Sequence, residues 1–537
     1  MNERGDQIPP SGWAMAKIGE LVCPDGLFLD GDWVESKDQD PEGDVRLIQL
    51  ADIGDGVYLN RSSRFLTSKK ATELRCKFLK PGDVLIARMP DPLGRACIFP
   101  GDPKKSVTAV DVCIVRLGSI GPNNRWLVWA VNSPEFRSSI AALESGTTRK
   151  RISRSNLATL ELPVPPLPEQ HRIFPEIEKQ FTRLDAAVAA LKRIQANLKR
   201  YRASVLKAAC EGRLVPAEAE LARAEGREYK PADRLLARIL KERRAKWEAD
   251  QLAKMQAADK PPKDDKWRSK YQEPAASDGS NLGQLPEGWM WTSLSAIAEL
   301  KGGITKGQKR RPEEKTRSVP YLRVANVQRG FLDLREAKEI EATEDEIGDL
   351  RLRSGDILFN EGGDRDKLGR GWVWRGEIPE CIHQNHVFRA RLYLAEVRSK
   401  FISWYGNSIG QDYFVGEGKQ TTNLASINLT KLAALPIPLP PSDEQRRIVA
   451  EVERRLSTVD EIEALVAANL KRAQRLRQAI LKRAFEGELV PQDPNDEPAD
   501  ALLERIRAEW GKSGVGDANR KLKSRRVGVA TEPSING

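Results

Sequence analysis

The sequence predicts an α+β chain built by internal duplication, in which two β-rich globular regions accompany two long antiparallel coiled-coil helices in a pseudo-twofold arrangement. Three observations predict it. Residues 169–216 recur as residues 444–491, with 18 identities in 48 aligned positions. The repeated stretch has helical apolar spacing, and short apolar runs between turn residues fill the regions before each copy.

Each repeated stretch has the limits of a single long helix. Proline-rich runs, LPVPPLPEQ and LPIPLPPSDEQ, precede the two copies and exclude helix upstream. Ser442 with Gln445 predicts a capping box at the second start, and Gly212 and Gly487 supply the left-handed residue that ends a helix. About 40 residues between these limits give a rod of roughly 60 Å. Pro175 predicts that the first helix starts or kinks there.

The apolar positions of both copies approach a heptad seam. They are Ile177, Phe181, Leu184, Val188, Leu191, Leu198 and Val205 in the first copy, and Ile448, Val452, Leu456, Val459, Val466, Leu470 and Ile480 in the second. Such a seam favours an antiparallel coiled-coil pair that acts as a spacer over two solvated helices packed on a large core.

Length and composition bound the class of protein. A chain of 537 residues can hold several domains, and its formal charge of +11 with a pI of about 9.2 is compatible with a polyanionic partner. The first residues lack the apolar core of a signal peptide, and no apolar run reaches membrane-spanning length. Six scattered cysteines match no disulfide framework, so we expect a soluble cytoplasmic protein.

The duplication extends beyond the helices. GW at residues 12–13 recurs at 288–289, KPGDVLIAR is echoed by RSGDILFNE, and PADRLLARILKERR by PADALLERIRAEW. The globular regions, about residues 9–160 and 285–435, are each predicted to be β-rich with one helix near the end, at residues 125–143 and 396–415. Because their interiors diverge between similar flanks, we expect one scaffold that presents two different surfaces.

Two segments lie outside the repeat. Residues 217–284 contain a charged helix around residues 231–258, followed by a Lys/Asp/Pro/Ser-rich stretch with the composition of a mobile linker. The tail from Lys512 contains RKLKSRR at residues 520–526 and is predicted to be disordered. It serves either as a solubilising end or as a phosphate-binding arm.

A search for catalytic motifs finds none that is complete. Cys381, His383 and His386 cluster, but strand alternation would point His386 away from the other two, which argues against a metal site. GGITKGQK at residues 302–309 lacks the Lys-Ser/Thr of a phosphate loop, and we find neither a GxSxG elbow nor an amine methyltransferase motif. The chain alone is therefore predicted to be non-catalytic, with no cofactor and no metal.

Loops that mix cations with amides and hydroxyls are instead the candidate DNA-binding sites. Arginine reads guanine edges, Asn and Gln read adenine edges, and Ser, Thr and Lys hold phosphates, although any single such loop can be ordinary solvated surface. The candidate residues are Thr147, Thr148, Arg149, Lys150, Arg151, Arg154, Lys306, Lys309, Arg310, Arg311, Arg365, Lys367, Arg370, Gln384, Asn385, Lys419, Gln420, Thr421, Thr422 and Asn423.

These motifs together resemble a known family. GTTRKRISRSNLATLELPVPPLPEQHRI, a long helix and EGRLVP, followed by GKQTTNLASINLTKLAALPIPLPPSDEQRRI through EGELVP, is similar to the specificity subunit of type I restriction–modification enzymes. The resemblance spans residues 9–510. Pro175, the insert at residues 217–284 and the basic tail depart from the family pattern.

The resemblance implies two target-recognition domains, each reading one half of a bipartite, asymmetric double-stranded DNA site, held apart by the two helices. It also implies two modification subunits, which carry S-adenosylmethionine and adenine methyltransferase chemistry, and two restriction subunits with motor and nuclease activity. On this interpretation the boundaries are: 1–160, first target-recognition domain; 161–216, first spacer helix; 217–284, insert and linker; 285–435, second domain; 436–491, second spacer helix; 492–537, short helix and basic tail.

Two alternatives remain open at this point. A coiled-coil adaptor with protein-binding ends would give no sequence-selective footprint on DNA. A methyltransferase fused in the same chain would transfer methyl groups without a partner.

Overall fold

The computed structural model describes residues 9–90, 92–146, 150–262, 264–274, 282–307, 310–363, 367–420 and 425–513. The chain divides into two compact units, residues 1–192 with 467–537 and residues 193–466, called here the first and the second unit. Both boundaries fall inside long helices, so each unit contains part of each helix.

Among its described residues, the globular part of the first unit contains three small sheets and four short α-helices. The four-stranded antiparallel sheet has the order β2-β8-β5-β6, the mixed sheet the order β4-β3-β7, and β1 pairs with β9. The elements are β1 (Ala14–Lys17), β2 (Leu27–Asp30), β3 (Val45–Ile48), β4 (Phe65–Leu66), α1 (Ser68–Glu73), β5 (Val84–Ala87), β6 (Ala96–Ile98), β7 (Lys105–Thr108), β8 (Val112–Arg116), α2 (Asn124–Val131), α3 (Pro134–Ala142), α4 (Arg154–Thr159) and β9 (Glu161–Val164).

Three helices follow, and then the globular part of the second unit. The helices are α5 (Leu167–Cys210), α6 (Glu218–Glu225) and α7 (Ala232–Ala257). The globular elements are β10 (Met290–Ser293), α8 (Leu294–Ile297), β11 (Ala298–Lys301), β12 (Arg317–Leu322), β13 (Val327–Gln328), β14 (Phe331–Leu332), β15 (Lys338–Ala342), α9 (Glu344–Leu350), β16 (Ile357–Asn360), β17 (Gly362–Gly363), β18 (Gly371–Val373), β19 (Ile382–His383), β20 (Val387–Leu392), α10 (Ser399–Asn407), α11 (Gly410–Glu417), β21 (Lys419–Gln420), β22 (Ala425–Ser426), α12 (Leu429–Ala433) and β23 (Pro436–Leu439). The chain then forms α13 (Ser442–Phe485) and α14 (Ala499–Lys512).

The second unit repeats the topology of the first. Its sheets β11-β20-β16-β18, β15-β12-β19 and β10-β23 match the three sheets of the first unit strand for strand. Where the second unit has the hairpin β13-β14 and the sheet β17-β22-β21, the described residues of the first unit form the shorter antiparallel bridges Ile53–Tyr58 and Ser145–Arg151. The predicted β-rich duplication is confirmed.

The two long helices pair antiparallel within each unit. In the first unit Arg477 of α13 donates to Asp185 of α5 at 2.8 Å and lies 4.0 Å from the ring centroid of Phe181. In the second unit Arg202 of α5 bonds Glu463 of α13 at 3.1 Å. The start of each helix thus packs against the end of the other.

The predicted seam faces inward along both helices. Ile177, Phe181 and Val205 of α5 are buried, as are Ile448, Val452, Val459 and Val466 of α13. The other seam positions, Leu184, Val188, Leu191, Leu198, Leu456, Leu470 and Ile480, are half-buried. Burial of the seam provides the packing that holds helices of this length together in water.

The ends of the long helices agree with the sequence in part. Gly212 and Gly487 adopt φ of 67° and 73°, and the following amides bond back to the carbonyl five residues earlier, which completes a Schellman cap in both copies. The expected start or kink at Pro175 is wrong about the start, because α5 begins at Leu167 and continues through Pro175. The capping box is also wrong, since the Gln445 side chain bonds Pro440 and Arg398 instead of the start of its own helix.

Two helices, not one, close each globular region. Asn132 ends α2, and the Ser133 hydroxyl accepts the Phe136 N–H to begin α3 with Pro134 in its first turn. In the second unit α10 ends at Asn407 and α11 begins at Gly410.

The insert is more ordered than its composition predicts. The charged helix is confirmed as α7, and part of the stretch with linker composition forms a 3-10 helix at Asp265–Lys270 that packs back against it. Trp267 stacks on Trp247 with ring centroids 5.9 Å apart, and Tyr271 meets Trp247 edge-on at 5.3 Å. Residues 263 and 275–281 of the linker, and the tail beyond residue 513, lie outside the described residues.

Within the part of the chain that the structure describes, no helix combines the length and apolar composition needed to cross a membrane.

Candidate nucleic-acid interface

Backbone hydrogen bonds bring four of the predicted loops of the second unit to one junction. The Ile304 N–H donates to the His383 carbonyl at 2.8 Å, and the Asn385 N–H donates to the Ile304 carbonyl at 2.9 Å. The Glu361 N–H donates to the His386 carbonyl at 3.0 Å. The loops after β11, β16 and β19 therefore meet at the same ends of their strands.

The fourth loop joins through strand β22. The Ile427 N–H donates to the Glu361 carbonyl at 2.8 Å, while β22 pairs with both β17 and β21. Residues 419–420, predicted to contact DNA, form β21 and so lie beside the loop that begins at Glu361. We call the meeting of these four loops the second-unit junction.

A glycine allows the closest approach at this junction. A Cβ on Gly303 would lie 1.9 Å from the His383 carbonyl oxygen, far inside any normal contact, so only glycine fits. The second glycine of the Gly-Gly at residues 302–303 is therefore a packing requirement of the loop.

The first unit builds the same junction from different residues. The Asp32 N–H donates to the Thr108 carbonyl at 2.8 Å, and the Arg88 N–H donates to the Asp111 carbonyl at 2.9 Å. The Ile152 N–H donates to the Arg88 carbonyl at 3.1 Å. Each bond is the counterpart of one in the second unit, and we call this arrangement the first-unit junction.

Gly31 has the role of Gly303 in the first-unit junction, because a Cβ there would lie 2.1 Å from the Ala109 carbonyl oxygen. The repeated frame thus consists of backbone bonds and one glycine in each unit. The side chains on the two frames differ, and in the first unit the Arg88 guanidinium also donates to the Val110 and Ile152 carbonyls.

Some of the predicted basic side chains of the first unit are bonded to other protein groups, and others are exposed. Arg154 begins α4, donates to the Phe28 carbonyl at 3.2 Å and lies 3.6 Å from the Asp30 carboxylate. Lys150 pairs with Glu144. Arg151 exchanges backbone bonds with Ser145, and its side chain is exposed. Thr147, Thr148 and Arg149 lie outside the described residues.

Lys306 and Arg311 of the second unit have exposed side chains. Arg310 is committed instead to structure: it donates to the Glu341 carbonyl at 2.9 Å and lies 2.9 Å from the Glu346 carboxylate. Gln384 and Asn385 are half-buried within the second-unit junction. Their backbone amides hold the loops together, which restrains the side chains for contact with a base edge.

The remaining predicted residues are placed less completely. Arg370 is half-buried and donates to the Val324 carbonyl at 3.3 Å, and Lys367 is half-buried as well. Lys419 and Gln420 are described as the backbone of β21. Lys309, Arg365, Thr421, Thr422 and Asn423 lie outside the described residues.

The structure also exposes two large aromatic residues that the sequence search missed. Trp33 lies at the first-unit junction, two residues after Gly31; it is 69% exposed, and its indole N–H donates to Glu35 at 3.1 Å. Phe331 lies on the hairpin β13-β14, away from the second-unit junction, and is 56% exposed. Large exposed aromatic side chains of this kind stack on bases or insert between them in nucleic-acid interfaces. The signal in the sequence was an aromatic residue beside glycine in a polar loop.

The histidines do not form a metal site. His383 is fully buried, its Nδ1 lies 2.7 Å from the Val387 carbonyl, and burial lowers the pKa of its imidazole to about 4. His386 is exposed and pairs with Glu361 through Nδ1 at 2.5 Å, while the Cys381 thiol is buried in an apolar cluster. Among the described residues, no three His, Cys, Asp or Glu side chains are grouped to hold a metal ion.

Comparison with known proteins gives the family. The profile of the type I restriction modification DNA specificity domain matches residues 10–200 and again residues 286–472. The two matches coincide with the two copies of the repeat and together cover more than half of the chain.

Relatives of similar length are specificity subunits. The EcoBI type I specificity subunit of Escherichia coli is 27% identical over 419 residues, which are 76% of this chain and 77% of that protein. The EcoKI specificity subunit of E. coli K12 is 24% identical over 396 residues, 72% of each chain. The StySPI specificity subunit of Salmonella potsdam is 26% identical over 415 residues, 75% of this chain and 74% of that protein.

A solved structure supports the fold. A chain from a study of complex assembly and conformational transition of the type I R-M system superimposes with a TM-score of 0.59 and 18% identity, covering 90% of this chain and 99% of that chain. The repeated sequence profile, the relatives of similar length and the shared fold agree: this chain belongs to the DNA specificity subunits of type I restriction–modification enzymes.

Proposed function

We propose that each unit reads one half of a bipartite, asymmetric double-stranded DNA site, and that its junction is the reading surface. The supporting observation is one backbone frame occurring twice with different side chains: Arg88 and Asp111 in the first unit stand where Glu361 and His386 stand in the second. A repeated frame that places different side chains at corresponding positions has the chemistry to recognise two different half-sites.

The long helices are proposed to set the distance between the half-sites. Each has 44 residues, which corresponds to about 66 Å at about 1.5 Å per residue. Because both are continuous and their seams are buried, helix length converts into spacing along DNA, as half-site spacing follows from geometry in dimeric DNA-binding proteins.

The proposed partners and division of labour follow those of the family. DNA, two modification subunits and two restriction subunits would assemble with this chain, in the compartment that holds the DNA, the cytoplasm. We assign methyl transfer and S-adenosylmethionine to the modification subunits and DNA translocation and cleavage to the restriction subunits. This chain would then contribute recognition only, without a cofactor of its own.

The spacing role is tested by shortening both helices in register. The Asp185–Arg477 pair marks facing positions, so residues 186–192 and 470–476 can be deleted together, which removes one heptad from each helix. The loss of about 10.5 Å corresponds to about three base pairs at about 3.4 Å each.

Mapping of methylated adenines, with the modification subunit present, should show a shorter spacer between two unchanged half-sites. A control that deletes residues 186–192 alone destroys the pairing register and should abolish assembly. If the paired deletion alters the half-sites or leaves the spacer unchanged, the helices do not measure distance.

A further inference from the structure

Each long helix begins with a buried glutamate–glutamine pair. The pairs are Glu169–Gln170 and Glu444–Gln445, and all four residues are no more than 1% exposed. Buried polar side chains are costly unless they are hydrogen-bonded, so the partners of these four residues show what holds them in place.

The glutamates bind the tryptophans of the repeated GW motif. The Trp13 indole N–H donates to Oε2 of Glu169 at 2.8 Å, and the Trp289 indole N–H donates to Oε1 of Glu444 at 2.8 Å. Each tryptophan directly precedes the first strand of its unit, so the bond ties the entry of the globular region to the first turn of the helix.

The glutamines bind a second element of the same globular region, the start of a helix. Oε1 of Gln170 accepts the Asn123 N–H at 2.9 Å at the start of α2, and Oε1 of Gln445 accepts the Arg398 N–H at 2.9 Å at the start of α10. Their Nε2 atoms donate to the carbonyls of residues 165 and 440, both at 2.9 Å, just before each helix.

Each globular region is therefore fixed to its helix at two separated points. One point is the tryptophan before the first strand, and the other is the start of the domain's own helix. Both bonds form in a water-excluded site, where hydrogen bonds are strong and leaving one unmade is expensive. Two such points restrict the rotation of the region about the first turn of the helix.

We propose that this pair of residues with its tryptophan, the latch, positions each reading domain on its helix and so sets how strictly the spacer length is enforced. The proposal rests on the function proposed above and adds the residues that transmit the helix geometry to the reading surface. A change of one base pair moves a half-site by about 3.4 Å and rotates it by roughly 35°, so a domain held firmly rejects it.

The two latches differ in how fully they are bonded, which provides a test within one chain. Glu444 accepts a second bond, from the Glu218 N–H at 2.9 Å, so both of its oxygens face donors. Oε1 of Glu169 has no hydrogen-bonding partner among the described residues. In Glu169→Gln the side-chain NH2 can take the place of the unbonded Oε1, so the bond from Trp13 is kept. In Glu444→Gln the NH2 must replace an oxygen that accepts a hydrogen bond, so it would face an N–H donor.

The experiment uses the full chain assembled with its modification subunit. Three DNA duplexes compete for the complex; they have the same half-sites, and their spacers are native, one base pair shorter or one base pair longer. We expect Trp289→Phe and Glu444→Gln to reduce the preference for the native spacer roughly tenfold, while the half-site sequences stay the same. Glu169→Gln is expected to keep the wild-type preference. Trp13→Phe breaks the latch of the first unit, so its effect on the spacer preference does not depend on the folding of the second unit.

A destabilising control separates positioning from stability. Ile239→Ala removes buried carbons from α7 in the second unit, outside both the seam and the latch, so it should lower the thermal midpoint and leave the spacer preference unaltered. The proposal is overturned if the tryptophan and Glu444 variants lose only stability, or if they weaken methylation equally on all three spacers. A wild-type complex that shows no two-part, gapped consensus would instead refute the proposed function itself.

Discussion

The close approach at Gly303 yields a quantitative prediction for the second-unit junction. In Gly303→Ala the added carbon would lie 1.9 Å from the His383 carbonyl oxygen and 2.6 Å from that of Gln384, where contacts below 3.0 Å essentially do not occur. The loop must therefore move away by roughly an ångström. The movement breaks the bonds from Ile304 to His383 and from Asn385 to Ile304.

The cost follows from those contacts. Two backbone hydrogen bonds contribute about 1 kcal/mol each, and the strain of forcing a methyl group into a packed site adds about 1–3 kcal/mol, so we expect a loss of about 3–5 kcal/mol. The adjacent Gly302 is a matched control, because a Cβ there meets nothing within 4 Å.

Hydrogen exchange measured by mass spectrometry on the full chain provides the local assay. Peptides that contain the amides of Ile304 and Asn385 should exchange faster in Gly303→Ala, while first-unit peptides keep their wild-type protection. Binding to a duplex with only the second half-site should fall, and binding to the first half-site should be unchanged. If Gly303→Ala and Gly302→Ala unfold in urea within about 0.5 kcal/mol of each other, the junction is not the rigid frame described here.

Two further predictions concern charge. If the exposed guanidinium of Arg151 holds one phosphate, Arg151→Ala should weaken DNA binding and lower the salt slope of log K by about 0.9. Arg310→Ala is the control and should leave the slope unchanged, because the Arg310 guanidinium is held by the Glu341 carbonyl and the Glu346 carboxylate. Equal slopes for the two variants would remove Arg151 from the interface. Burial raises the pKa of Glu169 in the folded chain above its ordinary value of 4.5. The protonated carboxyl therefore stabilises the fold at pH values below 4.5, and this stabilisation is lost as pH rises through the folded-state pKa. Urea unfolding from pH 4 to 7 should therefore show Glu169→Gln gaining stability relative to wild type as pH rises, and a constant difference would refute this.

The duplicated frame was accessible from the sequence because its signals are local or repeated. Gly212 and Gly487 end the helices as predicted, and the apolar seam gave the antiparallel pair. A single helix was expected where α2 and α3 lie. The local sequence nevertheless contained the signal for the break, because Ser133 followed by Pro134 is typical of a helix start.

The errors arose where a distant residue decides the structure. Gln445 has the spacing of a capping box, but burial of its side chain commits it to Pro440 and Arg398. Trp267 lies in a stretch with the composition of a linker, yet Trp247 on α7 offers it a ring to stack on. In both cases a tertiary contact outweighs a local propensity of about 1 kcal/mol.

The candidate interface shows a deeper limit of sequence reasoning. Arg310 and Arg311 are neighbours with the same chemistry, but Arg310 is held by the Glu341 carbonyl and the Glu346 carboxylate, whereas Arg311 is exposed. This difference depends on the sheet beside them. Composition can locate a loop rich in DNA-binding residue types. It cannot divide those residues between structural and functional roles.

The same separation explains how such a protein can change what it reads. The junctions are held by backbone N–H and carbonyl groups and by Gly31 and Gly303, all of which are indifferent to neighbouring side chains. Glu361 and Arg88 occupy corresponding positions with opposite charge, and the backbone bonds around them are the same. Substitution at these positions therefore alters the proposed reading surface while the backbone bonds of the frame remain, although in the first unit it also removes the bonds from Arg88 to the Val110 and Ile152 carbonyls. The latch residues are instead identical in the two copies, because they are buried and their bonds to Trp13 and Trp289 fix the position of each globular region.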